Sequence, residues 1–138
     1  MTSKKLSFEL KNDLSQLDIL EEKLDEFCAK LGLTKRCYCE INLALEELFT
    51  NIISYGFIDD KEHRIKFSII HEDDTVTIMI EDDGVPFNPM DIDEPDLKCE
   101  MEKRKVGGLG IHLIKNMMDR IDYKRQKNKN LLTLIKHL

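Results

Sequence analysis

The chain has 138 residues, 41% of them hydrophobic and 35% charged, with a formal net charge of −6. That length and balance predict one soluble domain with an apolar core of its own. The acidic balance argues against general nucleic-acid binding, which needs a basic face, and no apolar run approaches the roughly 20 residues of a membrane span. The start, Met1 to Lys5, runs into alternating residues and not into the apolar block of a signal peptide, so the expected location is the cytoplasm. The cysteines, Cys28, Cys37, Cys39 and Cys99, lack metal-ligand spacing and are expected as reduced thiols with no zinc site.

Leu6, Phe8 and Leu10 alternate with polar residues, the period of a half-buried strand. Asn12, Asp13 and Ser15 are helix-start residues. Leu17, Leu20, Leu24, Phe27, Cys28 and Leu31 then recur at helical spacing before Gly32, which predicts a first amphipathic helix over Ser15 to Leu31. After the basic link Thr34-Lys35-Arg36 comes the helix that organises the chain, carried by the run Ile41 to Phe57 and ending near Gly56. At about 100° per residue, Ile41, Leu45, Leu48, Phe49 and Ile52 gather on one side and must face a core. Glu47 and Asn51, four residues apart, lie one above the other on a face that borders this stripe without belonging to it. Ser54 continues that face, and Glu46 points about 100° away. An acidic, turn-rich loop follows, Ile58 to Glu62.

A hairpin is predicted next, with Ile65, Phe67 and Ile69 on one arm, Glu72-Asp73-Asp74 as the turn, and Val76, Ile78 and Ile80 on the other. The pattern breaks at Asp82-Asp83-Gly84-Val85-Pro86-Phe87-Asn88-Pro89. From Asn88 to Lys105 the chain is highly charged with little periodicity, as expected of a functional lid or a disordered insert. Gly107-Gly108-Leu109-Gly110 ends that stretch, and a short helix is predicted over Ile111 to Met118. A second hairpin closes the chain, with Ile121 and Tyr123, a turn over Lys127 to Asn130, then Leu132 and Leu134. The predicted fold class is α/β (α+β): a two-layer sandwich in which a mostly antiparallel sheet of about five strands carries three helices on one face.

Four features carry chemistry. A carboxylate and a carboxamide stacked beside a core helix, Glu47 and Asn51, can accept a proton and offer a neutral hard oxygen to Mg²⁺, although such a pair taken alone also suits a plain helix surface. Asp82-Asp83-Gly84 at a strand end offers an acceptor for an exocyclic amine and a backbone that a ligand can approach, or an ordinary turn. Gly107 to Gly110 at a helix start lets backbone N–H groups converge on an anion, or serves as a hinge. It is neither a P-loop nor a dinucleotide fingerprint, since no Gly-Lys-Ser/Thr and no βαβ unit surrounds it. Lys103-Arg104-Lys105 can neutralise a terminal phosphate, contact an acidic partner, or form a solvated charge run.

Taken in order, these stretches resemble the Bergerat nucleotide-binding fold of the histidine-kinase-like ATPase superfamily. Within it, Leu45-Glu46-Glu47-Leu48-Phe49-Thr50-Asn51, Asp82-Asp83-Gly84-Val85-Pro86-Phe87 and Gly108-Leu109-Gly110-Ile111-His112-Leu113 resemble the anti-sigma-factor serine/threonine kinases. The similarity runs from the first strand to the C-terminus, so residues 1–138 are expected to form one such domain, with an ATP lid over about 86–107. The resemblance implies ATP and Mg²⁺ as cofactors, with Glu47 in the general-base position and Asn51 as the Mg²⁺ ligand. It implies Asp82 as the adenine-reading carboxylate with Gly84 beside the base. It places Gly107, Gly108, Leu109 and Gly110 at the phosphate end of the lid. Pro86 replaces the second glycine of the family's Asp-x-Gly-x-Gly motif, and Val106 stands where these kinases carry a lid arginine, so Arg104 or Lys105 is the expected substitute. The implied activity is transfer of phosphate to a Ser or Thr of a small anti-sigma-antagonist protein, with a sigma factor as an alternating partner and a homodimer as a candidate assembly. No direct nucleic-acid or membrane partner is implied. The rival readings are a nucleotide-gated binding module that transfers nothing, and the catalytic half of a histidine kinase. The latter needs a phosphoacceptor His on a dimerisation helix, which His63, His71, His112 and His137 do not provide.

Overall fold

Side-chain alternation and helical stripes of this strength leave little freedom, and the computed structural model, which describes residues 4–91 and 108–138 (the first three of the second stretch by backbone alone), follows them closely. Strand β1 (Lys4–Lys11) leads into helices α1 (Leu17–Leu31) and α2 (Lys35–Gly56), the hairpin β2 (Arg64–Glu72) and β3 (Thr75–Asp82), helix α3 (Gly108–Met117), and the hairpin β4 (Arg120–Gln126) and β5 (Lys129–His137). The five strands form one antiparallel sheet in the order β1-β2-β3-β5-β4.

Caps mark the end of α1 and the start of α2. A single 3₁₀ turn over Leu14–Gln16, capped by the Asp13 carboxylate on the Ser15 N–H, occupies the predicted start of α1 and delays the helix to Leu17. Gly32, at φ 66°, takes the left-handed conformation that closes α1. The Thr34 hydroxyl caps α2 on the Cys37 N–H at 3.1 Å. Helix α3 starts at Gly108, three residues before the predicted Ile111. Both hairpin turns have two residues. Lys127 and Asn128 both sit at positive φ, 53° and 63°, which is the twist a tight hairpin needs.

The strand period sends Leu6, Phe8 and Leu10, then Ile65, Phe67 and Ile69, Val76, Ile78 and Ile80, and Leu132 and Leu134 to the helix-covered face. Helix α2 lies over the middle of that face, with Phe49 against Phe67 and Phe67 stacked on Phe8. Ile41, Ala44, Leu45, Leu48, Phe49 and Ile52 are buried along it. Each large side chain buried this way stabilises the fold by about 1.5–3 kcal/mol. Helices α1 and α3 flank α2. No helix among the described residues is long and apolar enough to cross a membrane.

Candidate active site

The register that buries the core also assembles the site. On the helix-facing side of the sheet, β3 and β5 pair Ile78 with Leu134, then Ile80 with Leu132, then Asp82 with Asn130. The ladder therefore passes from apolar to polar in a single step at the strand end, and Arg125 on β4 lies opposite Asn130 on the same face. Asp82 and Asn130 are both buried, at 5% and 3% exposure.

Asn130 satisfies every hydrogen-bonding position of its amide. Its Nδ2 donates to Asp82 Oδ1 at 3.0 Å and to the Val85 carbonyl at 2.8 Å, and its Oδ1 accepts from the Phe87 N–H at 3.3 Å and from the Tyr123 hydroxyl. Asp82 Oδ1 also takes the Gly84 N–H at 2.9 Å. One carboxylate oxygen is thus held by two donors, while Oδ2 receives no hydrogen bond from the described residues. Burial pushes the Asp82 carboxyl up from its ordinary value, opposed by the bonds from Asn130 and the Gly84 N–H.

Gly84 is needed for a different reason from the one the sequence suggests. A Cβ at this position would lie 2.1 Å from the carbonyl oxygen of Gly56, at the end of α2. The same carbonyl accepts the Val85 N–H at 2.8 Å. The glycine lets the end of β3 close onto the end of α2, so the nearest obstacle to a side chain is the protein's own backbone. The Gly84 carbonyl in turn accepts from Arg125 Nη1 at 2.7 Å.

On α2 the arrangement is the reverse. Asn51 is only 1% exposed, inside the packed face where helical spacing placed it at the border. Helix α3 and the 3₁₀ turn Pro89–Asp91 pack against α2 and widen its buried surface. The Asn51 Nδ2 donates to the Glu47 carbonyl one turn back, at 2.7 Å, which fixes the amide with Oδ1 turned away. That Oδ1 and the Glu47 Oε2 are buried and have no hydrogen-bond partner among the described residues. Burial pushes the Glu47 carboxyl up, opposed by Asn51 and reinforced by Glu46. Glu46 itself accepts from Asn42 Nδ2 at 3.4 Å, and Glu21 of α1 is among the charges acting on it, so the two adjacent carboxylates serve different faces. Ser54 is exposed.

Glu47 and Asn51 lie one turn apart on α2, and Asp82 and Gly84 lie where the end of β3 meets the end of that helix at Gly56. Gly108, Leu109 and Gly110 form the first turn of α3. Gly107, Arg104, Lys105 and most of the lid, including Val106, lie outside the described residues. Asn130, which the sequence reading assigned to the closing turn, is in β5, because the turn takes only Lys127 and Asn128. Its signal was the alternation Asn130, Leu132, Leu134. Concavities of about 530 and 540 Å³ on the outer face of the sheet and beside the β1–α1 connection are lined by none of Glu47, Asn51 or Asp82. Hydrogen bonding, and not volume, singles out these residues.

A buried amide oxygen without a partner, one turn from a buried carboxylate oxygen without one, is what a hard cation and a proton donor would complete. Among the described residues no group of three or more His, Cys, Asp or Glu is arranged to hold a metal. A Mg²⁺ at Asn51 fits that finding, since Mg²⁺ at phosphates keeps most of its ligands from phosphate and water.

Comparison with known proteins identifies the family and the fold. Residues 10–136 match the family described as the histidine kinase-like ATPase domain. A serine/threonine-protein kinase, BtrW, of Bordetella bronchiseptica is 26% identical over 113 residues, 82% of this chain and 75% of that protein. An anti-sigma F factor of Oceanobacillus iheyensis is 27% identical over 96 residues, 70% of this chain and 66% of that one. The crystal structure of the RsbU and RsbW domains of Rv1364c from Mycobacterium tuberculosis superposes with a TM-score of 0.66 at 15% identity, covering 98% of this chain and 32% of that one. The antiparallel sheet with three helices is thus a Bergerat-type fold.

Proposed function

The chain belongs to the histidine kinase-like ATPase domain family, and from that membership we propose that it is an ATP-dependent protein serine/threonine kinase of the cytoplasm. Its substrate is a small anti-sigma-antagonist protein, and a sigma factor is bound in alternation with it. The names of the relatives support this reading, one a serine/threonine-protein kinase and another an anti-sigma F factor. The observation that carries it is the pair of buried oxygens on one turn of α2, Glu47 Oε2 and Asn51 Oδ1, that have no partner among the described residues.

In this reading Asp82 Oδ2 accepts a hydrogen bond from the exocyclic amine of adenine, while Asn130 and the Gly84 N–H hold the other oxygen. The N-terminal turn of α3, with Gly108, Leu109 and Gly110, presents backbone N–H groups to the phosphates, and the family resemblance gives Gly107, Arg104 and Lys105 a role toward the same phosphates. Asn51 Oδ1 would hold Mg²⁺, which would supply charge neutralisation on the phosphates. The hydroxyl of the partner's Ser or Thr attacks the γ-phosphorus, the bond to the β-phosphate oxygen breaks with ADP leaving, and the hydroxyl proton passes to Glu47. A carboxyl whose proton affinity is raised by burial is suited to that acceptance. Val106, in place of a lid arginine, favours a second reading, a nucleotide-gated binding module without transfer.

Incubation with radiolabelled ATP, Mg²⁺ and candidate antagonist proteins tests the proposal. Wild type labels a Ser or Thr of one partner. Glu47→Gln binds ATP normally but transfers about 10²–10⁴-fold more slowly, the usual contribution of a positioned base. Glu46→Gln has little effect. Wild type that binds ATP yet labels no partner supports the gated module instead.

A further inference from the structure

His63 stands between two carboxylates. Its Nε2 is 2.7 Å from Asp59 Oδ1 and its Nδ1 is 2.9 Å from Asp83 Oδ1, with the ring 16% exposed. A carboxylate can only accept, so both ring nitrogens must donate, and the geometry is that of an imidazolium. A neutral ring could donate to one partner only and would set a lone pair against the other. The two partners lie on different segments. Asp59 is in the loop after α2, and Asp83 lies between Asp82 and Gly84. The ring also stacks on Phe57, with centroids 4.6 Å apart, and Phe57 directly follows the Gly56 carbonyl that receives the Val85 N–H. The backbone is pinned as well, since the His63 N–H donates to Asn12 Oδ1 at 2.9 Å and its carbonyl accepts the Asn12 N–H at 3.0 Å.

We propose that His63 is a positioning residue for the nucleotide site: as an imidazolium bridging Asp59 and Asp83, it ties the loop after α2 to the strand end that aims Asp82 at the base. This rests on the reading of Asp82 given above. The other charges around the ring are already engaged. Lys11 and Arg64 both pair with Glu62, and Arg125 is bonded to the Gly84 carbonyl, while Asp60 and Lys61 are exposed on the loop. Asp59 is the largest influence raising the proton affinity of His63 and Asp83 adds to it, against the opposing effect of burial. The folded-state value is therefore above the ordinary 6.5, so the bridge is complete below that pH and is lost as pH rises through the raised value. ATP affinity should weaken over the same window, upward from 6.5.

The test is calorimetry of ATP binding to wild type, His63→Gln and Asp59→Asn from about pH 6 to about pH 9, a span that brackets histidine titration. The ATP phosphates and the rest of the protein are common to all three proteins, so the ratio of wild-type to variant affinity isolates the bridge. The expected ratio for His63→Gln is about fivefold or more at the low end, in the range of ordinary site-to-site coupling, and falls towards one at the high end. Asp59→Asn shows the same trend with a smaller ratio. It also keeps the question open to test if His63→Gln does not fold. By reciprocity, ATP should raise the titration midpoint of the wild-type His63 ring seen by NMR. A ratio independent of pH, even in variants that melt at lower temperature, would make His63 purely structural and overturn the proposal while leaving the site intact. Wild type that binds no ATP at any pH would remove the site reading and the positioning role together.

Discussion

The two ends of the site are built on opposite rules. At the end of β3, Asp82 and Asn130 are buried and tied into a network in which the Asn130 amide is fully used and one Asp82 oxygen has two donors. On α2, one turn carries two buried oxygens with no hydrogen-bond partner among the described residues. A satisfied network fixes a single geometry before any ligand arrives. An unsatisfied pair costs stability until a ligand completes it, which is a common cost of function. On the proposed function, the base-reading end is preorganised and the transfer end depends on its ligands for completion.

Removing Asp82, the carboxylate proposed to face the base, gives the largest effect on the preorganised end. Asp82→Ala should lose a charge-assisted hydrogen bond of about 1.5–3 kcal/mol, and so roughly tenfold to more than a hundredfold in ATP affinity, in a protein that remains folded. Calorimetry showing wild-type affinity would dissolve the contrast. Gly84→Ala attacks the same end through packing. Its Cβ would meet the Gly56 carbonyl at 2.1 Å, so denaturant unfolding should show a loss of about 1–3 kcal/mol, the usual range for overpacking. A neutral result would mean that β3 and α2 can separate freely.

The smallest effect sharpens the other side of the comparison. The Glu47 carboxyl is raised above its ordinary 4.5 by burial, so its contribution to folding is fully present below 4.5 and is lost as pH rises through the folded-state value. At pH near 7 the buried carboxylate is a liability that a neutral amide lacks. Nucleotide-free Glu47→Gln should therefore melt slightly higher than wild type near neutrality, with the gap closing as pH falls below the carboxylate range. Thermal melts in which the variant is the less stable protein would show that Glu47 is structurally paired.

Much of this was legible in the residues. Alternation at Leu6 to Leu10, Ile65 to Ile69 and Val76 to Ile80 located three strands, and the stripe from Ile41 to Ile52 located α2, because burial of one face imposes those periods. Asp82 and Gly84 were readable from the break in alternation, although Gly84 answers to the Gly56 backbone, a tertiary contact that no local pattern reveals. Asn51 was placed at the border of the stripe because a helical wheel does not know that α3 will pack there. Asn130 was hidden by the turn. A two-residue turn with both φ values positive usually announces itself with glycine, and Lys127-Asn128 does not. A turn over Lys127 to Asn130 takes in two strand residues, Lys129 and Asn130, the second of which is the inward polar position of β5.

The division of labour between the two ends is tested most directly by measuring ATP affinity and phosphotransfer at saturating ATP on the same two variants, Asp82→Ala and Glu47→Gln. The account predicts a split. Asp82→Ala binds ATP weakly but, once saturated, transfers phosphate to the partner at close to the wild-type rate. Glu47→Gln binds ATP as wild type does and transfers about 10²–10⁴-fold more slowly. If Glu47→Gln instead transfers at the wild-type rate, or loses ATP affinity as severely as Asp82→Ala, the oxygens on α2 are not the transfer end and the contrast does not hold.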